Sequence, residues 1–287
     1  MQEHARIDKG QSLVLWSALG LYLAGRICQL FADRLPTLTV VLLHVAPPAI
    51  FAVVHGSIVY RPKGFAVFSA FCLGIGATCE TVSLRTGFPF GHYAFTDVMG
   101  PKLFQLPLLL VLAYLGIGYI SWVLALQILG YRDKPLVDTR VLAVPVLASF
   151  ILLAWDLSTE ADWSTVDRAW RWEGGGAYFG VPVSNFLGWY LTAFLFYGAF
   201  ALYLRKRTGQ RVPRALSFWR SAILMYAICA AGNLLLLRKP MAPAVVIDPS
   251  GKSWSTSGIL AVGSLMSIVL MGPISLLAWL RLEDQEG

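Results

Sequence analysis

Residues 103–129 read Leu103-Phe-Gln-Leu-Pro-Leu-Leu-Leu-Val-Leu-Ala-Tyr-Leu-Gly-Ile-Gly-Tyr-Ile-Ser-Trp-Val-Leu-Ala-Leu-Gln-Ile-Leu129, without one charged side chain. Wound as a helix at about 1.5 Å per residue, this run is about 40 Å long, more than the roughly 30 Å hydrocarbon core of a bilayer. A helix apolar on every face needs lipid or a large protein interior around it. The rest of the chain points the same way. Its 287 residues are 57% hydrophobic and 14% charged, with a mean hydropathy of +0.64. Soluble domains carry about 25% charged residues, so disorder and an ordinary cytosolic enzyme are excluded. The net charge of +7 lies in short clusters between apolar runs, which argues against nucleic acid as a partner. The expected architecture is an all-α polytopic membrane protein, residues 1–287 forming a single integral-membrane domain in the lipid bilayer.

Eight stretches have the length and composition of a span: 12–32, 38–60, 64–84, 103–129, 139–157, 183–204, 216–237 and 258–280. The first carries no small-residue cleavage site and is expected to be retained as a helix. Lys and Arg are then counted in alternate loops. One side holds Arg6, Lys9, Arg61, Lys63, Arg132, Lys134, Arg140, Arg205, Lys206, Arg207, Arg211, Arg214 and Arg281, thirteen in all. The other holds eight: Arg34, Arg85, Lys102, Arg168, Arg171, Arg238, Lys239 and Lys252. This predicts both termini in the cytoplasm and the chain in the cell's inner membrane. The two longest loops, 85–102 and 158–182, fall together on the opposite side. Both mix glycine, proline and aromatic rings, a composition suited to re-entrant or capping loops.

Each of these loops follows a span that ends near an acid. Glu80 closes the third span and Asp156 the fifth. An ionisable group within a span is expensive and is by default a functional candidate. A carboxyl in a water-poor site can donate a proton, and a second one nearby can accept one from water. The bland alternatives are a salt bridge from Glu80 to Arg85 and an interfacial charge for Asp156. Asp97 and Glu173, in the loops, are cheaper to place: a turn cap and a solvated charge explain them as readily. Trp155, Trp163, Trp170, Trp172 and Trp189 crowd one segment. They read as an interfacial belt, as a pocket able to stabilise a cation through its ring faces, or as both together. Asn185 and Asn233 are expected to bond between helices. His44 and His55 share a face of the second span and read as structural groups. Cys28, Cys72, Cys79 and Cys229 lie within spans as small apolar residues.

Absences narrow the chemistry. Four histidines cannot build the His-rich boxes of a membrane di-iron oxygenase. No D-D-x-x-D cluster is available to hold magnesium and a prenyl diphosphate, and no G-x-G-x-x-G follows a strand. Carboxylic acids and aromatics, with no metal and no cofactor, favour acid–base chemistry on a neutral hydrophobic substrate. A protonation-initiated cyclase, a non-catalytic carotenoid- or lipid-binding protein and a proton-coupled transporter use some of the same features. The oligomeric state is not legible.

Thr86-Gly-Phe-Pro-Phe-Gly-His-Tyr-Ala-Phe-Thr-Asp97, followed by Gly100-Pro-Lys-Leu103, resembles the signature loop of the integral-membrane carotenoid 1,2-hydratases acting on γ-carotene- or bisanhydrobacterioruberin-type substrates. Ala154-Trp-Asp-Leu157 and Gly176-Ala-Tyr-Phe-Gly-Val-Pro182, with Asn185-Phe-Leu-Gly-Trp189, are similar to the other two blocks of that family, and Glu80 matches as well. At Ser158-Thr-Glu-Ala-Asp162 the chain departs from the family's more apolar run. The resemblance implies addition of water to the terminal C1=C2 bond of an acyclic carotenoid or polyprenoid end, a hydro-lyase reaction without a cofactor. It makes Glu80 and Asp156 the acid and base, with Asp97 and Glu173 supporting them. Arg85, Phe88, Phe90, His92, Tyr93, Trp155, Trp172, Tyr178, Phe179 and Asn185 would line the substrate site.

Overall fold

The structure is a computed structural model and describes residues 7–206, 215–238 and 243–284. Arg6, Arg207, Arg211, Arg214 and Lys239, which entered the charge count, lie outside the described residues. Seven helical runs are long and apolar enough to cross a membrane. The first, α1 (Lys9–Cys28), starts at a reciprocal cap. The Asp8 carboxylate accepts from the Gln11 N–H at 2.7 Å, and the Gln11 side chain accepts from the Asp8 N–H at 3.1 Å. It tightens into a 3₁₀ turn, Gln29–Arg34.

The second run, α2 (Thr37–Thr86), is 50 residues long but is not one rod. Arg61 stands at φ 61°, ψ 159°, outside helical space. The following Pro62 explains why a break falls here, because its ring disfavours the helical conformation for the residue before it. The packing shows what the break does. A Cβ on Gly116 would lie 2.8 Å from Pro48, and one on Gly118 would lie 3.3 Å from the Cys72 sulfur. Those two glycines are about 3 Å apart along their helix, so Pro48 and Cys72 sit at nearly one depth, whereas a straight helix would separate them by about 36 Å. Residues 37–60 and 62–86 are therefore two antiparallel spans.

The helix carrying those glycines is α3 (Leu108–Leu129), buried almost continuously from Tyr114 to Gln127. It is packed against α2, α4 (Arg140–Ala161), α6 (Leu216–Leu235) and α8 (Gly272–Asp284). Glycine at 116 lets the α2 backbone at Pro48 and Ala49 approach closely, the usual device of helix packing in lipid, and Gly118 leaves room for the Cys72 and Phe196 side chains. The sequence placed the start of this span at 103. Residues 102–107 instead form a hairpin, β2 (Lys102–Leu103) with β3 (Leu106–Pro107), since Pro107 holds extended backbone before the helix begins. A π-turn, Asp162–Val166, prolongs α4. With α5 (Val183–Arg205) and α7 (Thr256–Met266), joined to α8 through another π-turn, the described residues make eight crossings.

One end of the bundle is capped. The loop after α2 contributes β1 (Tyr93–Phe95) and the loop after α4 contributes β4 (Trp170–Trp172). They pair antiparallel, with Tyr93 opposite Trp172 and Phe95 opposite Trp170. The two long loops thus share one end, as the alternation of spans predicts. A second hairpin, β5 (Val245–Ile247) with β6 (Ser253–Ser255), leans on the cap where Trp254 meets Phe179 at 5.4 Å between ring centres. Asp248 holds that hairpin's turn. Burial opposes its charge, but hydrogen bonds from Ser250 and Trp254 outweigh this and keep its carboxyl below the usual carboxylate range.

Candidate active site

Beneath the β1–β4 ladder lies a cavity with about 110 Å³ open to the centres of water molecules. About 10–15 Å³ measured this way holds one water, so the space suits several waters or one end of a longer apolar molecule. Glu80, Asp156 and Glu160 face it, and each is at least 95% buried. Trp155, Trp163, Trp170, Trp172 and Trp189 all line it, so these rings form a pocket. Leu110, Ala113 and Ile117 of α3 supply an apolar wall.

The three acids are held by neutral donors. Tyr93 and Tyr114 each donate a phenol hydrogen bond to Glu80, the one from Tyr114 at 2.7 Å. Trp170 and Trp172 both donate their indole N–H to one oxygen of Glu160, at 2.7 and 2.9 Å. Asn185 donates to one oxygen of Asp156 at 3.1 Å. The opposed pair of the ladder thus serves two acids at once: Tyr93 reaches down to Glu80 and Trp172 to Glu160, their rings 4.9 Å apart. No described Lys or Arg forms an ion pair with any of the three. Burial, with the Glu80 charge next to it, raises the Tyr93 hydroxyl well above the ordinary phenol range, so it remains a donor. A tier of rings braces the floor, with Tyr114 stacked on Trp189 at 4.8 Å and Trp155 edge-on to Trp189 at 6.1 Å.

Of the residues expected from sequence, Glu80, Asp156, Phe90, Tyr93, Trp155, Trp172 and Asn185 meet in this cavity. The others do not. Asp97 is on the surface, bridged to Lys102 at 3.2 Å, and it also opens a short 3₁₀ turn, Asp97–Met99. Glu173, Arg85, His92 and Phe88 are exposed, and the alternative of a Glu80–Arg85 salt bridge gives way to the two phenols. Tyr178 spends its hydroxyl on the Leu157 carbonyl at 2.7 Å. Burial and the nearby charges of Asp156 and Glu160 push its pKa up to about 12. Phe179 packs on Trp254, away from the cavity.

Sequence reasoning missed Glu160 as a candidate, although it lies one helical turn beyond Asp156 and so on the same face. It also missed Tyr114, Arg26 and Thr159. Tyr114 sits in the uncharged run 103–129, and a lone tyrosine there has no signal of its own. Among the described residues no group of three His, Cys, Asp or Glu side chains is arranged to hold one metal ion.

A family model described as carotenoid biosynthesis protein matches residues 38–247, from the start of α2 to the end of β5. That span contains the whole β1–β4 cap and all three buried acids. No curated protein and no solved structure matches the chain.

Proposed function

The chain belongs to the carotenoid biosynthesis protein family, and we propose that it is a hydratase adding water to the terminal C1=C2 bond of an acyclic carotenoid end. The observation that carries this reading is the cavity itself: three buried carboxyls, supplied only with neutral hydrogen-bond donors, ringed by five tryptophans. Such a site offers a proton donor, a proton acceptor and faces that favour a cation, with an apolar wall for the polyene.

Asp156 has one oxygen engaged by Asn185, while its other oxygen accepts from no described residue. It gives its proton to C2, and the π electrons of the double bond form the new C–H bond, leaving a tertiary cation at C1. Indole faces around the cavity stabilise that cation by about 0.5–2 kcal/mol per contact. Water attacks C1 through oxygen. Its surplus proton passes to the Tyr93 hydroxyl, which hands its own to Glu80. Return of one proton from Glu80 to Asp156 through solvent closes the cycle. Glu160 fixes the Trp170 and Trp172 rings that roof the site. A cyclase would begin with the same protonation but let an internal double bond replace water.

Expression in a host that accumulates lycopene or γ-carotene tests this directly. Hydration gives pigments heavier by one or two waters, and cyclisation gives isomers of unchanged mass. Unaltered pigments bound to the purified protein would point to a non-catalytic carrier.

A further inference from the structure

Beside the cavity a smaller chamber runs between α1, α4 and α6, with about 30 Å³ open to water centres. That is room for about two waters. Gln29, Asp162 and Asn233 line it, and Ala32 and Asp167, both half-exposed, form part of its wall at the capped end. Arg26, His44, Thr159 and Trp163 line both spaces, so the two adjoin. The main cavity is walled largely by hydrocarbon and rings. Polar side chains make up a larger share of the chamber's wall.

Arg26 marks the junction. It is 97% buried within a span, a costly position for a guanidinium. Its Nη2 donates to the Cys229 carbonyl at 3.3 Å and to the Asn233 side chain, and its Nε has no partner among the described residues. The site is built to hold it. Asn233 is fixed by donating to Ser267 at 2.9 Å and to Ser158 at 3.2 Å. Gly232 lies under the guanidinium, where any Cβ would stand 1.9 Å from Nε. Gln29 bonds the Gly232 carbonyl at 2.7 Å and meets His44 at 3.0 Å. Nε itself is pressed against Gly232, so what the chamber offers water is the converging set of Arg26, Gln29, Asp162 and Asn233 along its lining, and ordered waters settle where two to four polar groups converge.

We propose that this chamber is the water-entry site of the protein, with Arg26 as the positioning residue that hands water from the capped end to the acids. The inference rests on the hydratase reading for the use made of the water, but the path itself does not. It gives the two reactants separate approaches, polar at the chamber and apolar along Leu110 and Ala113.

The test is radiolytic hydroxyl-radical footprinting of the full chain in detergent, in which radicals form from water within the site, combined with hydration assays. Ala32→Phe places a ring at the chamber wall, and Gln29→Met removes polar lining at similar volume and serves if the first variant fails to elute as a folded species. The expected result is Trp163 oxidation in the parent, its loss in the variant, and loss of hydration with it. No oxidation in the parent, or undiminished oxidation in the variant, overturns the path. Lost oxidation with parental hydration overturns the supply role. A parent that hydrates no acyclic end sinks the hydratase reading, and the footprint then still decides whether water reaches Trp163 this way.

Discussion

In the proposed reaction, Asp156 and Glu80 divide the chemistry through their different hydrogen bonds. Asp156→Asn keeps the shape and the Asn185 contact but removes the proton, so hydration should fall by about 10²–10⁴-fold while bound pigment is retained. Pigment mass analysis beside absorbance of the purified protein reads both. Tyr93→Phe should be active but slower, since it cuts the path to Glu80 and leaves Tyr114 in place. Asp97→Asn and Glu173→Gln should hydrate like the parent, because both side chains lie outside the cavity. Loss of activity in either would return the surface loops to the mechanism. The difference in legibility is physical. Glu80 and Asp156 stand out because each interrupts an apolar run. Glu160 sits in Ser158-Thr-Glu-Ala-Asp162, where polar neighbours read as the end of a helix, although α4 and its π-turn carry on through them.

At the scale of elements, the reversal at Arg61 and the β1–β4 ladder decide where the acids meet. The reversal was legible, since Arg61-Pro62-Lys63 divides two apolar runs with two charges and a residue pair that disfavours continuing a helix. The ladder was not, because three-residue strands from distant loops leave no period in the sequence. The hairpin of α2 makes a concrete demand on Gly56, where a Cβ would lie 2.2 Å from the Phe65 ring and 3.0 Å from Tyr119. Gly56→Ala should lower stability by about 1–3 kcal/mol, an overpacking penalty. Thermal unfolding in detergent measures it. An unchanged midpoint would mean that residues 37–60 and 62–86 do not pack face to face at this level.

For the whole molecule, the capped end gathers four loops and every acid of the site, and the opposite end carries the Arg61 turn. From the thirteen-to-eight count of basic residues, reporter fusions at 61–63 should read cytoplasmic and fusions within 85–102 and 158–182 non-cytoplasmic. The source of the new hydroxyl oxygen separates a hydratase from an oxygenase. Water and acid deliver hydroxyl from solvent, whereas an oxygenase delivers it from O₂ through metal ligands on adjacent turns. The decisive measurement is mass analysis of the product formed in H₂¹⁸O under air, with a matched reaction under ¹⁸O₂. Label from the water, undiminished without O₂ and in the presence of chelators, is the expected result; label from ¹⁸O₂ would contradict the hydratase account.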